Sequence, residues 1–338
     1  MNTTPVDEID SIILKTLLLE SRASFTKLAD MCGISVPAVT KRYSRLKKTG
    51  IIVGEHMHLN PLSIGYESIA EIGIQTGLEN QKKVEQSLRA SSSLRVITSA
   101  LGKYDVYGIL FAKKLSELTE LVQRIDIKPY VENLDVLIFA DLGNNPWHPE
   151  NIVVNPSEQE NAIATIDKSR KKFESANLDG INRVLIKTFM QNSRVTFKDI
   201  AGKLNISTAN VIKRYRYLRD RNVLNLSSIT VDFLKLGYKA VADSYIRIAN
   251  RAALPEIENQ LLQIPNLVFC AKFVGGAYDV RAAVIASDFQ DIFRLKKRIC
   301  IIKGIKSAEF YLVEVPAPWP VDFWGQNLLD DLDNSLTH

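Results

Sequence analysis

The chain is written twice, and no other feature constrains its fold as strongly. Displaced by 172 residues, Val6–Tyr66 lies on Leu178–Tyr238 without a gap, and 18 of 61 positions are identical. Asp7, Lys15, Ser21, Arg22, Phe25, Ile34, Ser35, Val39, Lys41, Arg42, Tyr43, Leu46, Gly65 and Tyr66 are among those that recur. Further on, Gly102-Lys103-Tyr104-Asp105 answers Gly276-Ala277-Tyr278-Asp279 at a displacement of 174, so the second copy carries a two-residue insertion. Pro146-Trp147 answers Pro318-Trp319. A repeating unit of roughly 145 residues means tandem domains, because solenoid repeats run to only ~20–50 residues.

Composition narrows the class. The apolar fraction is 46% and the charged fraction 24%, as in soluble globular proteins. No apolar run reaches the ~18 residues of a spanning helix. The first apolar stretch, Ile9 to Leu19, is broken by Asp10 and Lys15 and does not read as a signal peptide. Cys32, Cys270 and Cys300 lie far apart, which excludes a disulfide scaffold or a cysteine-based zinc site and predicts a reducing, cytoplasmic setting. Four histidines leave little for histidine-based catalysis. His56-x-His58 is poor evidence for a metal, since the second copy has Ser228-Ile229-Thr230 there. No cofactor and no metal are expected, nor is an enzyme.

Each copy opens with three helices. Ile9, Ile12, Ile13 and Leu17, repeated as Ile181, Val184, Leu185 and Phe189, form one apolar stripe. Ser24 caps a second helix carrying Phe25, Leu28 and Ala29, with Thr196, Phe197, Ile200 and Ala201 as counterparts. Gly33 makes the turn. Ser35 and Ser207 then cap a third helix, with Val39, Tyr43 and Leu46 (second copy Val211, Tyr215 and Leu218) facing inward.

The outward side of the third helix carries the chemistry. It holds Lys41, Arg42, Arg45, Lys47 and Lys48 in the first copy and Lys213, Arg214, Arg216, Arg219 and Arg221 in the second, against the single acid Asp220. A short helix, a tight turn and a capped basic helix make a helix-turn-helix. Its N-terminus offers N–H groups to a phosphate, and small polar side chains in its first turns fit a major groove ~12 Å wide. The residues expected at DNA are Ser35, Pro37, Ala38, Thr40, Lys41, Arg42 and Arg45, with Ser207, Thr208, Asn210, Lys213, Arg214, Arg216 and Arg219. Gly50–Val53 and Met57–Leu59 read as a hairpin wing beside this helix. Residues 178–238 carry a net charge of +7 and residues 1–60 one of +2, so the second module is expected to hold phosphates more strongly.

The rest of each copy alternates. Strands at 67–76, 94–100, 104–111 and 131–142, with helices at 79–89 and 116–125, give the ferredoxin-like order β-α-β-β-α-β. The second copy repeats it over 239–315. Such an antiparallel sheet keeps its helices on one face, so the two open faces are expected to cover each other as a pseudo-two-fold pair within one chain. The fold class is therefore α+β, two winged helix-turn-helix domains each followed by a ferredoxin-like domain. The expected boundaries are 1–62, 63–145, a linker at 146–177, 178–236, 237–316 and an acidic tail at 317–338. The linker, with Pro146, Pro149, Pro156 and a basic end at Lys168 to Lys172, reads as an irregular strap and then a charged or helical segment. The tail reads as solvated or loosely docked, and Trp147, Trp319 and Trp324 as surface packing.

These residues resemble the Lrp/AsnC, or feast/famine, transcription regulators of archaea and bacteria. The matching positions are Ile34-Ser35, Arg42, Leu46 with Gly50-Ile51-Ile52, Gly65-Tyr66 and Gly102 to Asp105, and the likeness covers nearly the whole chain twice. It implies double-stranded DNA as partner. It also implies an amino acid or related small effector near Gly102, Tyr104, Asp105, Gly276, Tyr278 and Asp279. For those turns a purely structural reading stays open: glycine permits a tight hairpin with positive φ, and aspartate bonds its own turn. Duplication within one chain departs from the family pattern and leaves further self-association open. Two other functions remain: a non-specific architectural DNA protein, and an enzyme like the tetrapyrrole decarboxylases that share this architecture.

Overall fold

The computed structural model describes residues 6–89, 94–99, 102–126, 128–140, 146–152, 174, 176–313, 328 and 332. Trp319, Trp324 and all but five residues of the expected strap and tail segments beyond residue 152 and residue 313 lie outside them. The first copy runs α1 (Glu8–Leu19), α2 (Phe25–Cys32), α3 (Val36–Lys48), β1 (Ile52–Leu59), β2 (Ser68–Gln75), α4 (Gln81–Arg89), β3 (Leu94–Ser99), β4 (Val106–Ala112), α5 (Leu115–Asp126) and β5 (Asn133–Phe139). The second runs α6 (Gly180–Gln191), α7 (Phe197–Leu204), α8 (Thr208–Asp220), β6 (Leu224–Val231), β7 (Ala240–Ile248), α9 (Leu254–Leu261), β8 (Leu267–Val274), β9 (Val280–Ala286), α10 (Phe289–Cys300) and β10 (Ile305–Val313).

Local chemistry sets the helix ends. Ser24 Oγ accepts from Lys27 N at 3.1 Å and Ser35 Oγ from Ala38 N at 3.4 Å. Thr196 and Ser207 repeat both caps. Gly33 closes α2 at φ +65°, and Asn205 closes α7 at φ 52°. Asparagine is among the few side chains that tolerate this left-handed region, so the turn survives without glycine. Asp7 caps α1 in a reciprocal box with Asp10.

Two sequence expectations fail here for one reason: the helical modules complete each other. β1 does not fold back as a hairpin wing. It is one strand, paired antiparallel with β6 from Ile52↔Val231 to Leu59↔Leu224. Gly54 lacks the positive φ of a two-residue hairpin turn, and Gly50, at +71°, is used to leave α3 instead. β6 then supplies Leu226, Ile229 and Val231 to the core around Ile13, Leu17, Leu28 and Leu46. Reciprocally, β1 supplies Met57 and Leu59 to the core around Leu185, Phe189, Ile200 and Leu218. Because α1 packs on its own module and on β6, its buried stripe is Ile13, Leu14, Leu17 and Leu18, while Ile9 and Ile12 are only half-buried. Val184, expected in the second stripe, is exposed. Each fully buried leucine or isoleucine there stabilises by about 1.5–3 kcal/mol.

The remaining strands form one eight-stranded antiparallel sheet, β10-β7-β9-β8-β5-β2-β4-β3. Each half has the ferredoxin-like order, and β5 joins β8 through Ile138↔Val274 and Phe139↔Phe273. α4 and α5 cover one half, α9 and α10 the other. The uncovered faces meet in Tyr104, Tyr107, Tyr245, Tyr278 and Tyr311, with Leu137 and Phe273. Beneath this cluster Arg281 bonds Glu71 at 2.7 Å and Asp243 at 2.9 Å, all three nearly out of solvent. The halves thus join by an edge as well as by their faces.

Two terminal expectations also change. Trp147 is not a surface residue. It is buried, bridged to the backbone of Phe269, with the rings 5.0 Å apart. The tail is anchored at Leu328 and Leu332, both in the core of the second helical module, where Arg183 donates to the Leu332 carbonyl.

Candidate nucleic-acid interface

α3 and α8 each bury one face in their own module and leave the other to solvent. Ser35, Val36, Pro37, Thr40, Lys41, Ser44, Lys47 and Lys48 are exposed, and Ala38 is half-buried. On α8, Ser207, Thr208, Ala209, Lys213 and Arg216 are exposed, with Asn210 half-buried. Each helix starts at a serine cap, with no acidic residue in its first turn. The N-terminal N–H groups therefore present partial positive charge with no carboxylate competing for them.

The structure sorts the basic residues into two groups. Lys41, Lys48, Lys213 and Arg216 stand in solvent, with no ion-pair partner among the described residues. The other arginines face the protein. Arg42 Nη1 bonds Asp7 at 2.6 Å and Asp10 at 3.0 Å, and Arg45 also bonds Asp10. Arg214 repeats this, donating to Asp179 at 2.7 Å and Asn182 at 3.0 Å. Burial pushes the Asp7 and Asp179 carboxyls up, but capping N–H groups and the facing arginine outweigh it and hold both below the usual range. Arg219 crosses to the other copy to bond Glu20 at 3.2 Å, and also donates to the Leu224 carbonyl of its own copy at 3.0 Å. Lys47 bonds Glu55 at 2.7 Å, and Tyr43 donates to the same carboxylate. These arginines fasten α3 and α8 to the first helix of each module. Asn210 Oδ1 accepts from Arg214 Nε at 3.2 Å, so its acceptor is already engaged.

The Gly-x-Tyr-Asp turns lie where the two halves meet. A Cβ on Gly102 would fall 1.8 Å from the ring of Tyr311, and one on Gly276 would fall 2.7 Å from Leu137. Gly276 has the expected positive φ, +80°. Gly102 is not among the positive-φ residues, and its glycine is required by the Tyr311 ring instead. Tyr104 and Tyr278 are buried, donating to Asp135 and, at 2.6 Å, to Glu309. Burial first, and these carboxylates second, push both phenols up. Asp105 accepts from Thr76 N at 2.9 Å. Asp279 accepts from Ile248 N at 2.8 Å and Arg251 Nε at 2.7 Å. Both aspartates therefore tie down strand ends.

What sequence reasoning missed lies between the modules. Ser21, Ser193 and Ser227 are fully buried, with Oγ separations of 2.6 and 2.7 Å at Ser21. The signal was present: Ser21 and Arg22 recur as Ser193 and Arg194.

Comparison with known proteins gives the same architecture. A family model described as winged helix-turn-helix DNA-binding matches residues 6–53. The HTH-type transcriptional regulator LrpA of Pyrococcus abyssi is 32% identical over 117 residues, covering 35% of this chain and 83% of that protein. The HTH-type transcriptional regulator Ptr1 of Methanocaldococcus jannaschii is 34% identical over 116 residues, covering 33% of this chain and 76% of that protein. The crystal structure of the siroheme decarboxylase NirDL matches with a TM-score of 0.62 at 16% identity, over 98% of this chain and all of that one. That likeness is one of fold, and it extends through both copies. Helical module, sheet module and relatives together place the chain in the Lrp/AsnC family of helix-turn-helix regulators.

Proposed function

We propose that this chain is a sequence-specific DNA-binding transcription regulator whose two copies act as a pseudo-dimer, α3 and α8 reading one duplex together. The observation that carries the reading is the pair of serine-capped helices, each with an exposed polar start and exposed lysine or arginine beyond it. Dimeric readers set half-sites about one helical turn, ~34 Å, apart or at multiples of it. Lys41, Lys48 and Lys213 are the phosphate contacts of this reading, and Arg216 lies on the reading face. Arg42, Arg45, Arg214 and Arg219 position the helices.

The reading faces differ between copies: Val36, Pro37, Ala38, Thr40 and Ser44 stand against Thr208, Ala209, Asn210, Ile212 and Arg216. The operator is therefore asymmetric. The test is selection of bound duplexes from a random pool, followed by salt titration. One enriched asymmetric sequence is expected, and K41A/K48A is expected to lower the salt slope by about 2, at ~0.9 per phosphate contact. Two equal inverted half-sites would refute the asymmetry. Equal affinity for selected and random duplexes would leave an architectural protein.

An amino acid or related small molecule acts as effector at the Gly-x-Tyr-Asp turns, where Gly102 and Gly276 touch the opposite half. A ligand there shifts the placement of the modules, with coupling of about 1–3 kcal/mol. Failure of all twenty amino acids to change melting or DNA affinity would remove this part.

The enzyme reading draws on the whole-chain fold likeness to a siroheme decarboxylase. Against it, the contact between the sheets is filled by five tyrosines and the Glu71–Arg281–Asp243 cluster. Among the described histidines, His56 and His58 lie on β1 and His148 beside Val268, outside that contact. A Soret shift on titration with an iron tetrapyrrole would revive it.

A further inference from the structure

The two helical modules hold each other by a reciprocal pair of arginines. Arg22, between α1 and α2, reaches into the second module. Its Nη1 donates to the Ser193 carbonyl and, at 2.9 Å, to the Val195 carbonyl, while its guanidinium stands 4.3 Å from the Phe197 ring and 5.5 Å from that of Tyr215. Arg194 makes the mirror journey. It donates to the Ser21 carbonyl and, at 3.3 Å, to the Ala23 carbonyl, and stands 4.8 Å from Phe25 and 5.4 Å from Tyr43. Tyr43 and Tyr215 belong to α3 and α8. Each candidate reading helix is therefore backed by a cation from the opposite copy.

Chemistry and sequence both mark this clasp as more than surface packing. A planar guanidinium can stack on a ring and donate along its edge at once, which lysine cannot. Phe25, Tyr43 and their counterparts are the rings shared by both sides, with Phe189 added 5.3 Å from Arg22 on one side, and Ser21, Arg22, Phe25 and Tyr43 are all identical in the second copy. Elsewhere the copies have drifted apart: in the matching registers of β2–β4 and β7–β9, Gly73 and Tyr107 stand where the second copy has Tyr245 and Arg281. The clasp has kept its symmetry where the sheet contact has lost it.

We infer that Arg22 and Arg194 are positioning residues that fix the orientation of α3 and α8 relative to each other, and so set the half-site spacing the chain accepts. The inference rests on the proposed DNA reading. The β1–β6 ladder joins the modules at their strands. The arginines act at the helices themselves.

The test uses the full chain and the duplex enriched from the random pool, intact and with five base pairs inserted between its halves. Two coupled modules gain avidity of ~10²–10⁴ only when both engage. The wild type is expected to lose at least ~30-fold on insertion, a half-turn that points one helix away from its groove. R22Q/R194Q is expected to lose less than about 3-fold, while its affinity for a single half-site stays within about 2-fold of wild type, because unlinking removes avidity and leaves each module's own contacts in place. The single variants R22Q and R194Q serve if the double variant does not fold. Retention of full phase discrimination by the variants overturns the inference, since the ladder alone would then suffice. Spin labels at Ser44 and Arg216 give a readout that needs no DNA. A wider distance distribution in the variants supports the clasp, and an unchanged one overturns it. A wild type that enriches no sequence would sink the DNA reading alone, and the label distances would still decide the clasp.

Discussion

Lowering the pH from 7 to 5 should loosen the joint between the helical modules through His56 and His58. The two rings stack with centroids 4.7 Å apart, and their Nε2 atoms are 2.7 Å from each other. Only one of those nitrogens can carry the shared proton, so two imidazolium ions would point donors at each other. His56 Nδ1 is already engaged with Thr230 Oγ1 at 2.8 Å, across the β1–β6 ladder. Burial pulls His56 down from 6.5 to about 4, and burial together with its neighbour pulls His58 well below 6.5. The unfolded chain therefore binds more protons than the folded one once the pH drops below about 6.5, and stability falls with pH in that window. For a histidine moved from 6.5 to about 4, the loss between pH 7 and pH 5 is roughly 2 kcal/mol, and His58 acts in the same direction. The assay is urea unfolding at both pH values, comparing wild type with H56S/H58T, which installs the second copy's residues at these positions. The variant is less stable at pH 7, having lost two packed rings. Its further loss on acidification should be smaller than that of wild type by about 2 kcal/mol or more. Equal losses in the two proteins would refute the argument, since the lowered Asp7 and Asp179 carboxyls take up protons only below this window.

Asp10, fully buried and bonded by Arg42 and Arg45, should cost about 1.5–3 kcal/mol when replaced by alanine, because Arg42 keeps only Asp7 and Arg45 loses this carboxylate, both guanidiniums still reaching solvent; the readout is the melting transition. R281L leaves Glu71 and Asp243 buried without a cation, and a loss of about 3–5 kcal/mol by chemical denaturation is expected. G102A should cost about 1–3 kcal/mol or more by overpacking Tyr311, with no backbone contribution, and Y311A in the same chain should relieve part of that increment; strict additivity of the two would refute the contact. L328A/L332A should destabilise the second helical module, as shown by faster hydrogen exchange in α6 than in α1, and equal protection in both would argue against the docking of the tail.

Local signals were legible in the sequence. Serine and threonine caps, the turn at Gly33 and the order of strands and helices are decided within a few residues, and repetition doubled each signal. Partner choice was not legible. An alternating stretch such as Ile52–Leu59 satisfies its backbone with any antiparallel neighbour, and nothing within it names β6 rather than its own wing. The stripe of α1 was misread for the same reason. Leu14 and Leu18 face a strand more than two hundred residues away, and one-sided periodicity does not see a second packing face.

The arginines of the third helices pose the harder case, because one side chain serves two purposes with the same chemistry. A guanidinium that fits a phosphate also fits a capping carboxylate, and periodicity places both on the same half of the helix. The repeat nevertheless held a way to separate them. Arg42 recurs as Arg214, and Asp7, its partner, recurs as Asp179. A residue that must read a base in an asymmetric site has no reason to be identical in both copies, as Ser44 against Arg216 illustrates. A residue that must fasten a helix has every reason to be. By that criterion Arg22, Arg42, Ser21 and Tyr43 group with the framework. Val36, Ala38 and Ser44, all of which differ between copies, group with the reading surface. Lys41, identical in the second copy as Lys213 yet exposed in both, fits a contact to phosphate, which every sequence offers alike.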